Sequence, residues 1–286
     1  MSYLNRTLRW TSTGLSWEHN VKQVQKLLED VEMTEANSVS TPITMQMLGA
    51  LDNEPLEPDE ARRYRAAAAR LNFLAQDRPD LCVASCVAST TMANPVRGSW
   101  ASLKRVCGYL QDKRTVSLFF EWQSVPVDER TLILQTDSDW ATCPRTRKSR
   151  SGGAIWHGAH CVSFWCRTQD RVARSSGEAE LKSSCAGLAE LLGLRNLLTF
   201  LLSGPCKLEH QLDASATKSM LLRQGAGALK HLDLRTLWVQ EVVHTENVLI
   251  TKIPRTSNVA DALCSPCRDD SFRTTMGALN LRFPMT

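Results

Sequence analysis

The chain has 286 residues, a net charge of +4, 43% apolar and 22% charged residues. That length holds two ordinary domains, and the balance excludes a collagen-like or intrinsically disordered chain. Ten cysteines in this length, behind an N-terminus (MSYLNRTLRW) without a signal-type apolar stretch, exclude a secreted disulfide scaffold. No uninterrupted apolar run reaches the ~18 residues of a membrane span, so no membrane partner is expected.

Residues 1–50 read as the tail of something larger. Leu4–Trp10 and Gly14–Trp17 form a hairpin around Thr11-Ser12-Thr13-Gly14. Val21–Val31 has apolar residues at 21, 24, 27, 28 and 31, which is helical spacing. Ser38–Pro42 breaks it, and 51–58, with Pro55 and Pro58, is a linker. From Asp59 to Arg114 the pattern is helical: one helix stopping before Pro79, one over Asp80–Met92, and one with Ser99 as N-cap. A strand over Val116–Trp122 and a Pro-containing turn over Gln123–Glu129 follow.

Then the pattern changes. Thr131–Trp140 (TLILQTDSDW) reads as a buried strand over 131–136 running into a turn with Asp137 and Asp139. Gly153–His157 and Cys161–Arg167 read as antiparallel strands, and Ser176–Leu202 as one long helix. Strand Leu208–Leu212, helices Ser215–Arg223 and Leu234–His244, strand Val248–Pro254 and a short helix Asn258–Leu263 complete a mixed α/β layer. The tail after Pro266 has no clear pattern.

An Asp at the end of a buried strand is costly beside a core unless something binds it. Three more acids fall at element ends: Glu178, Asp213 and Asp261. In mixed sheets, strand C-termini and helix N-termini converge on one edge, where ligands bind. Carboxylates crowded there repel by ~4 kcal/mol per pair at 4 Å and an effective dielectric near 20, unless some protonate or divalent cations neutralise them. Two such ions suit phosphodiester hydrolysis. Each acid also has a local reading. Ser175-x-x-Glu178 is a capping box, Asp213 an N-cap, Asp261 a first-turn acid and Asp137 a turn residue. Glu178 shares a stripe with Leu181, Cys185, Leu188 and Leu192, which favours a role beyond capping. Asp139 reads as a residue supporting the site or as solvent-exposed.

By nine phrases in order, residues 1 to about 266 resemble the C-terminal part of the Pol polyprotein of copia-type LTR retrotransposons. The phrases, in the family's order, are VSTP (39–42), YRAAAARLNFLAQDRPDL (64–81), WASLKRVCGYLQ (100–111), TDSDWA (136–141), RKSRSGG (147–153), SFWCRTQDRVARSSGEAEL (163–181), LDASATKSM (212–220), KHLDLR (230–235) and IPRTSNVADALCSP (253–266). The resemblance implies an α/β, ribonuclease H-like mixed sheet with flanking helices, preceded by a mainly helical reverse-transcriptase thumb/connection remnant. Its segments would be a reverse-transcriptase remnant (1–50), a helical thumb/connection segment (51–129), the ribonuclease H-like domain (130–266) and a tail (267–286). It implies cleavage of the RNA strand of RNA–DNA hybrids with two Mg²⁺ or Mn²⁺ ions on Asp137, Glu178, Asp213 and Asp261. Partners would be the hybrid and other Pol segments or a reverse transcriptase, in the cytoplasm, a virus-like particle or the nucleus. No YVDD-like pair is present, so polymerase activity is not expected. Ala214 stands where the family has Asn, Gly177 where it has Thr, and LCSPC where it has a basic ending. These departures leave a catalytically inactive module, binding nucleic acid or a reverse transcriptase, as the alternative.

From Trp140 to Arg174 seven Lys/Arg face one acid, Asp170. Within this stretch Arg147, Lys148 and Ser149 suit backbone phosphates. Lys230 and His231 are further substrate contacts, and Trp140 and Trp165 are expected in the core. Cys264 and Cys267 form a lone CxxC without the second pair a structural zinc site requires.

Overall fold

The computed structural model describes residues 1–49, 53–123, 130–225, 227, 234–267 and 269–283. It divides into two compact units, Met1–Trp122 with Pro266–Thr286, and Gln123–Ser265. Residues 1–122 of the expected segments 1–50 and 51–129 fall in the first unit together with 266–286, and 123–129 fall in the second.

The first unit opens with β1 (Ser2–Tyr3), β2 (Arg6–Trp10) and β3 (Gly14–Glu18). The expected hairpin is present, with Leu8 opposite Trp17. Helix α1 (Val21–Asp30) starts where the Asn20 side chain accepts from Lys22 N–H (3.1 Å) and buries Val24, Leu27 and Leu28. After α2 (Met45–Gly49), α3 (Pro58–Ala75) begins with Pro at its first position and turns Tyr64, Ala67, Leu71 and Leu74 inward. The short α4 (Cys82–Ser89) packs on α3. Helix α5 (Arg97–Asp112) starts two residues before the expected cap. Ser99 instead lies in the first turn, where its Oγ accepts from Val96 N–H (3.0 Å). Strand β4 (Ser117–Glu121) pairs antiparallel with β3.

The second unit is built on β5 (Thr131–Asp139), β6 (Arg150–His157) and β7 (His160–Thr168), then α6 (Ser176–Leu202), β8 (Lys207–Leu212), α7 (Ser215–Leu222), α8 (Leu234–Thr245), β9 (Leu249–Lys252) and α9 (Asp261–Cys264). The sheet runs β7-β6-β5-β8-β9. Strand β6 pairs antiparallel with both β5 and β7, whereas β8 pairs parallel with β5 and β9 parallel with β8. This is the ribonuclease H-like mixed sheet with flanking helices. Leu132 and Leu134 of β5, Ile155, Leu181, Leu188 and Leu191 form the centre of its core. Fully burying each such side chain is worth about 1.5–3 kcal/mol.

Both β5 and β6 are longer than their apolar patterns. Pairing of Asp137 with Gly152 and of Asp139 with Arg150 carries both strands through polar residues. Asp137 therefore lies within a strand rather than at its end. Helix α6, 27 residues with mean hydropathy 1.5 in its most apolar window, is long and apolar enough to cross a membrane by length and composition. A count of uninterrupted apolar residues passes over it because Glu190 and Arg195 punctuate the run. The same helix carries Leu181, Leu188 and Leu191 into the sheet's core.

The tail is structured where no pattern was legible. Helix α10 (Asp269–Ala278) buries Phe272 and Met276, and β10 (Leu281–Arg282) pairs with β4 as the edge of the first unit's sheet.

Candidate active site

The site forms at the end of β5, where a strand, two helices and a strand exit deliver acids. Asp137 is buried, 7% exposed. Its backbone carbonyl accepts from Ser183 Oγ of α6 (2.7 Å), and its Oδ2 accepts from the Cys264 thiol of α9 (3.1 Å). The ligand atoms of Asp137, Asp261 and Cys264 all lie within 4.8 Å of one another.

Helix α9 is held against β5 by the NVAD phrase. Asn258 Nδ2 donates to Thr136 O (3.1 Å), Val259 N–H donates to Gln135 Oε1 (3.0 Å), and Ala260 N–H donates to Asn258 Oδ1 (3.2 Å). Its approach to β6 depends on Gly152. A Cβ there would stand 2.6 Å from Ala260 O and 2.7 Å from Cys264 N, both backbone atoms. Gly152→Ala must therefore push α9 away or bend β6. The expected cost is about 1–3 kcal/mol, read as a lowered melting temperature together with weaker divalent-metal binding. A variant as stable as the parent would contradict that packing.

Glu180, not Glu178, is the α6 carboxylate of this cluster. Its Oε1 accepts from Ser138 N–H (3.3 Å) and Ser138 Oγ (3.1 Å). Burial, then the charges of Asp137 and Asp213, push its pKa well above the ordinary carboxylate range, against the Ser138 hydrogen bonds. Glu178 turns the other way. One oxygen pairs with Lys182 Nζ (2.9 Å) and the other accepts from Arg174 N–H (2.8 Å). Only half of the expected capping box forms: Ser175 Oγ accepts from Glu178 N–H (3.1 Å), while the Glu178 carboxylate takes the N–H of Arg174, one residue before the N-cap. Glu178 is buried, 6% exposed, but on a side of α6 offset from the face on β5. That face runs Glu180, Ser183, Ser184, Gly187, Leu188 and Leu191, with small residues where helix and strand approach. The run of small residues four and seven positions after Glu180 was the legible signal.

Asp213 follows β8, half-buried, and its charge is felt by both Asp137 and Glu180. It does not cap α7, whose N-cap is Ala214. Asp261 opens α9, and its Oδ1 accepts from the exposed Arg255 (3.3 Å). Burial first, then the charges of Asp261 and Asp213, raise the Asp137 pKa, while the Cys264 hydrogen bond opposes them. The arrangement is thus an edge crowded with negative charge, with Arg255 as a nearby counter-charge.

Asp139 is neither solvent-exposed nor in the cluster. It is 6% exposed and ion-paired with Arg150, whose Nε also donates to Cys264 O (3.0 Å). Ser149 cannot meet phosphates, since it is fully buried and its Oγ accepts from Ala141 N–H (2.9 Å). Arg147 is exposed and Lys148 half-exposed on the same turn. Trp165 is in the core as expected, but Trp140 is 51% exposed, with its ring N–H donating to Ala173 O (3.1 Å). Lys230 and His231 lie outside the described residues. Behind the site, His210 is fully buried, its Nε2 2.9 Å from Thr136 Oγ1, and burial pushes its pKa down to about 3.

Sheet order and flanking helices give the second unit a ribonuclease H-like fold. No family model matches the chain. It is 27% identical over 256 residues to the retrovirus-related Pol polyprotein from transposon TNT 1-94 of Nicotiana tabacum, a match covering 86% of this chain and 19% of that protein. It is 28% identical over 250 residues to the corresponding polyprotein from transposon RE2 of Arabidopsis thaliana, covering 86% and 17%. The chain therefore spans about a fifth of the length of these relatives. Among solved structures it is similar to LC11 ribonuclease H1, isolated from compost, with 15% identity, a TM-score of 0.37, and coverage of 51% of this chain and 99% of that one. The chain is a homologue of the retrovirus-related Pol polyproteins of plant transposons.

Proposed function

We propose that the second unit is a divalent-metal-dependent endonuclease that hydrolyses the RNA strand of RNA–DNA hybrids, within a Pol-derived chain without polymerase activity of its own. The observation that supports this reading is that Asp137, Glu180, Asp213 and Asp261 come from four separate elements and the charges of Asp261 and Asp213 act on Asp137, as those of Asp137 and Asp213 act on Glu180. Their donors are hard carboxylate oxygens, and the buried Asp137 and half-buried Glu180 are disfavoured as anions without a counter-charge. That donor set fits Mg²⁺, with Mn²⁺ as substitute. These four residues would hold the ions, which supply activation of a water and stabilisation of the leaving 3′ oxygen.

The chain's own groups set up the rest. Ser138 fixes the Glu180 carboxylate, and Asn258 fixes α9 and with it Asp261. Arg147 and Lys148, on the turn between β5 and β6, suit the phosphates of the hybrid without reading its sequence. Discrimination of RNA from DNA would come from 2′-hydroxyl and groove-shape contacts.

Asp137→Asn keeps the side chain's size and removes its charge. Cleavage of a labelled hybrid in Mg²⁺ is expected to disappear while the circular dichroism spectrum stays that of the parent. Undiminished cleavage would sink the assignment. A second reading, an inactive binding module, is favoured by the Cys264–Asp137 and Arg255–Asp261 contacts, which give two of the carboxylates protein partners. Calorimetry with Mg²⁺ alone separates the two, because a folded parent that takes up no Mg²⁺ supports the module.

A further inference from the structure

Cys264 is the one soft donor in an otherwise hard-oxygen site. Its Sγ lies 3.1 Å from Asp137 Oδ2 and 3.3 Å from Asp261 O, and the residue is 1% exposed. With Asp137 and Asp261 it forms a three-donor set whose ligand atoms lie within 4.8 Å of one another. Donors bound tetrahedrally at 2.0–2.3 Å stand about 3.5 Å apart, so the set needs only a small contraction around an ion. Among the described residues it is the one group of three or more His, Cys, Asp or Glu side chains with this spacing. The spacing of cysteines along the chain conceals it, because Asp137 lies 127 positions away from Cys264.

We propose that Cys264 determines the metal selectivity of this cluster, giving it a mode in which a thiophilic divalent ion of the Zn²⁺ class is held by Asp137, Asp261 and the Cys264 sulfur. This rests on reading the cluster as a divalent-metal site, and not on hybrid cleavage. As the metal–sulfur bond forms, the S–H proton leaves to solvent, and one thiolate and two carboxylates bind the ion. Mg²⁺ gains little from such a sulfur, whereas affinity for Zn²⁺ and Cd²⁺ rises with it. The soft ion then occupies Asp137 and Asp261, the same carboxylates that the hard ions need. Submillimolar Zn²⁺ would therefore compete with Mg²⁺ at this edge. Arg150, donating to Cys264 O, and Gly152, admitting the α9 backbone, hold the sulfur at that position.

The test adds Co²⁺ alone, then Cd²⁺ alone, to the full chain. Co²⁺ is expected to give the near-ultraviolet thiolate-to-cobalt charge-transfer band. Cys264→Ser should lose it, while Cys143→Ser, altered in the turn between β5 and β6, should keep it. Cd²⁺ affinity should fall by about tenfold or more in Cys264→Ser. A folded parent without the band overturns the proposal, as does a band that survives Cys264→Ser. The ¹¹³Cd resonance of the parent needs no variant: a shift in the thiolate range supports the proposal, and an all-oxygen shift overturns it. The hybrid-cleavage reading fails separately. A parent that shows the band but does not cleave hybrid in Mg²⁺ sinks that reading alone, and one that cleaves without the band sinks this one alone.

Discussion

Glu180→Gln is expected to reduce Mg²⁺-dependent hybrid cleavage by at least about 10²-fold, because even residues that only support a metal ligand cost 10–100-fold when changed. Glu178→Gln should leave cleavage near the parent level and lower stability by about 0.5–1 kcal/mol, the worth of a first-turn acid and its i,i+4 partner. The two glutamates are two residues apart, so on a helix they point about 200° apart. Glu180 lies toward Ser138 and the charge of Asp137, and Glu178 lies toward Lys182 and Arg174. Glu180→Gln should also relieve repulsion in the metal-free protein, so its melting temperature without divalent ions should rise or hold. Adding Mg²⁺ should then stabilise it less than it stabilises the parent. Activity would fall with no loss of metal-free stability, which a merely structural role for Glu180 would not produce. If Glu178→Gln were the inactive variant and Glu180→Gln the active one, the side-chain directions described above would be wrong.

That pair also marks where sequence reading stops. The hairpin at 6–18, helices α1, α3 and α6, and the β-β-β-α-β order could all be read from periodicity and turn residues, because burial there imposes a simple repeat. Asp137, Asp213 and Asp261 were legible for a related reason: each is an acid at or near the end of an apolar element. Glu180 was hidden by a neighbour with a stronger local signal, since Ser175-x-x-Glu178 satisfies a capping rule whatever lies beyond it. The polar extensions of β5 and β6 were hidden as well. Ser138, Asp139, Arg150 and Ser151 carry no apolar alternation, and only pairing across the sheet makes them strand. Ser149 was misjudged because its hydroxyl is used internally, by Ala141 N–H, a contact no composition reveals. Helix α10 and β10 have a different cause. Their few apolar residues become informative only once Phe272 meets Tyr109 edge-on at 6.0 Å and Leu281 pairs with Leu118.

Asp80→Ala is expected to be the most damaging single substitution in the first unit. Arg78 and Asp80 are both fully buried, joined by Nε–Oδ1 (2.9 Å) and Nη2–Oδ2 (2.6 Å). Tyr109 O–H donates to the same Oδ2 (2.7 Å), and Arg78 Nη1 donates to Lys113 O (2.9 Å). Removing the carboxylate strands a guanidinium and a phenol in the core. An uncompensated buried charge costs about 3–5 kcal/mol, about a fifth or more of the ~5–15 kcal/mol that holds an ordinary domain together. The melting temperature of this unit should drop by about 10 °C or more. Tyr109→Phe removes one hydrogen bond and leaves the ion pair intact, so its cost should be only about 1–2 kcal/mol. The double change Arg78→Met with Asp80→Leu should recover most of what Asp80→Ala loses, because no charge is then left unpaired. Calorimetry on the four proteins checks that order. Amide exchange in α10 adds a second readout, since Tyr109 also supports Phe272, so protection there should fall in Asp80→Ala. An Asp80→Ala protein within about 1 kcal/mol of its parent would show that the RPD phrase is a turn signal alone and that the buried pair holds nothing in place.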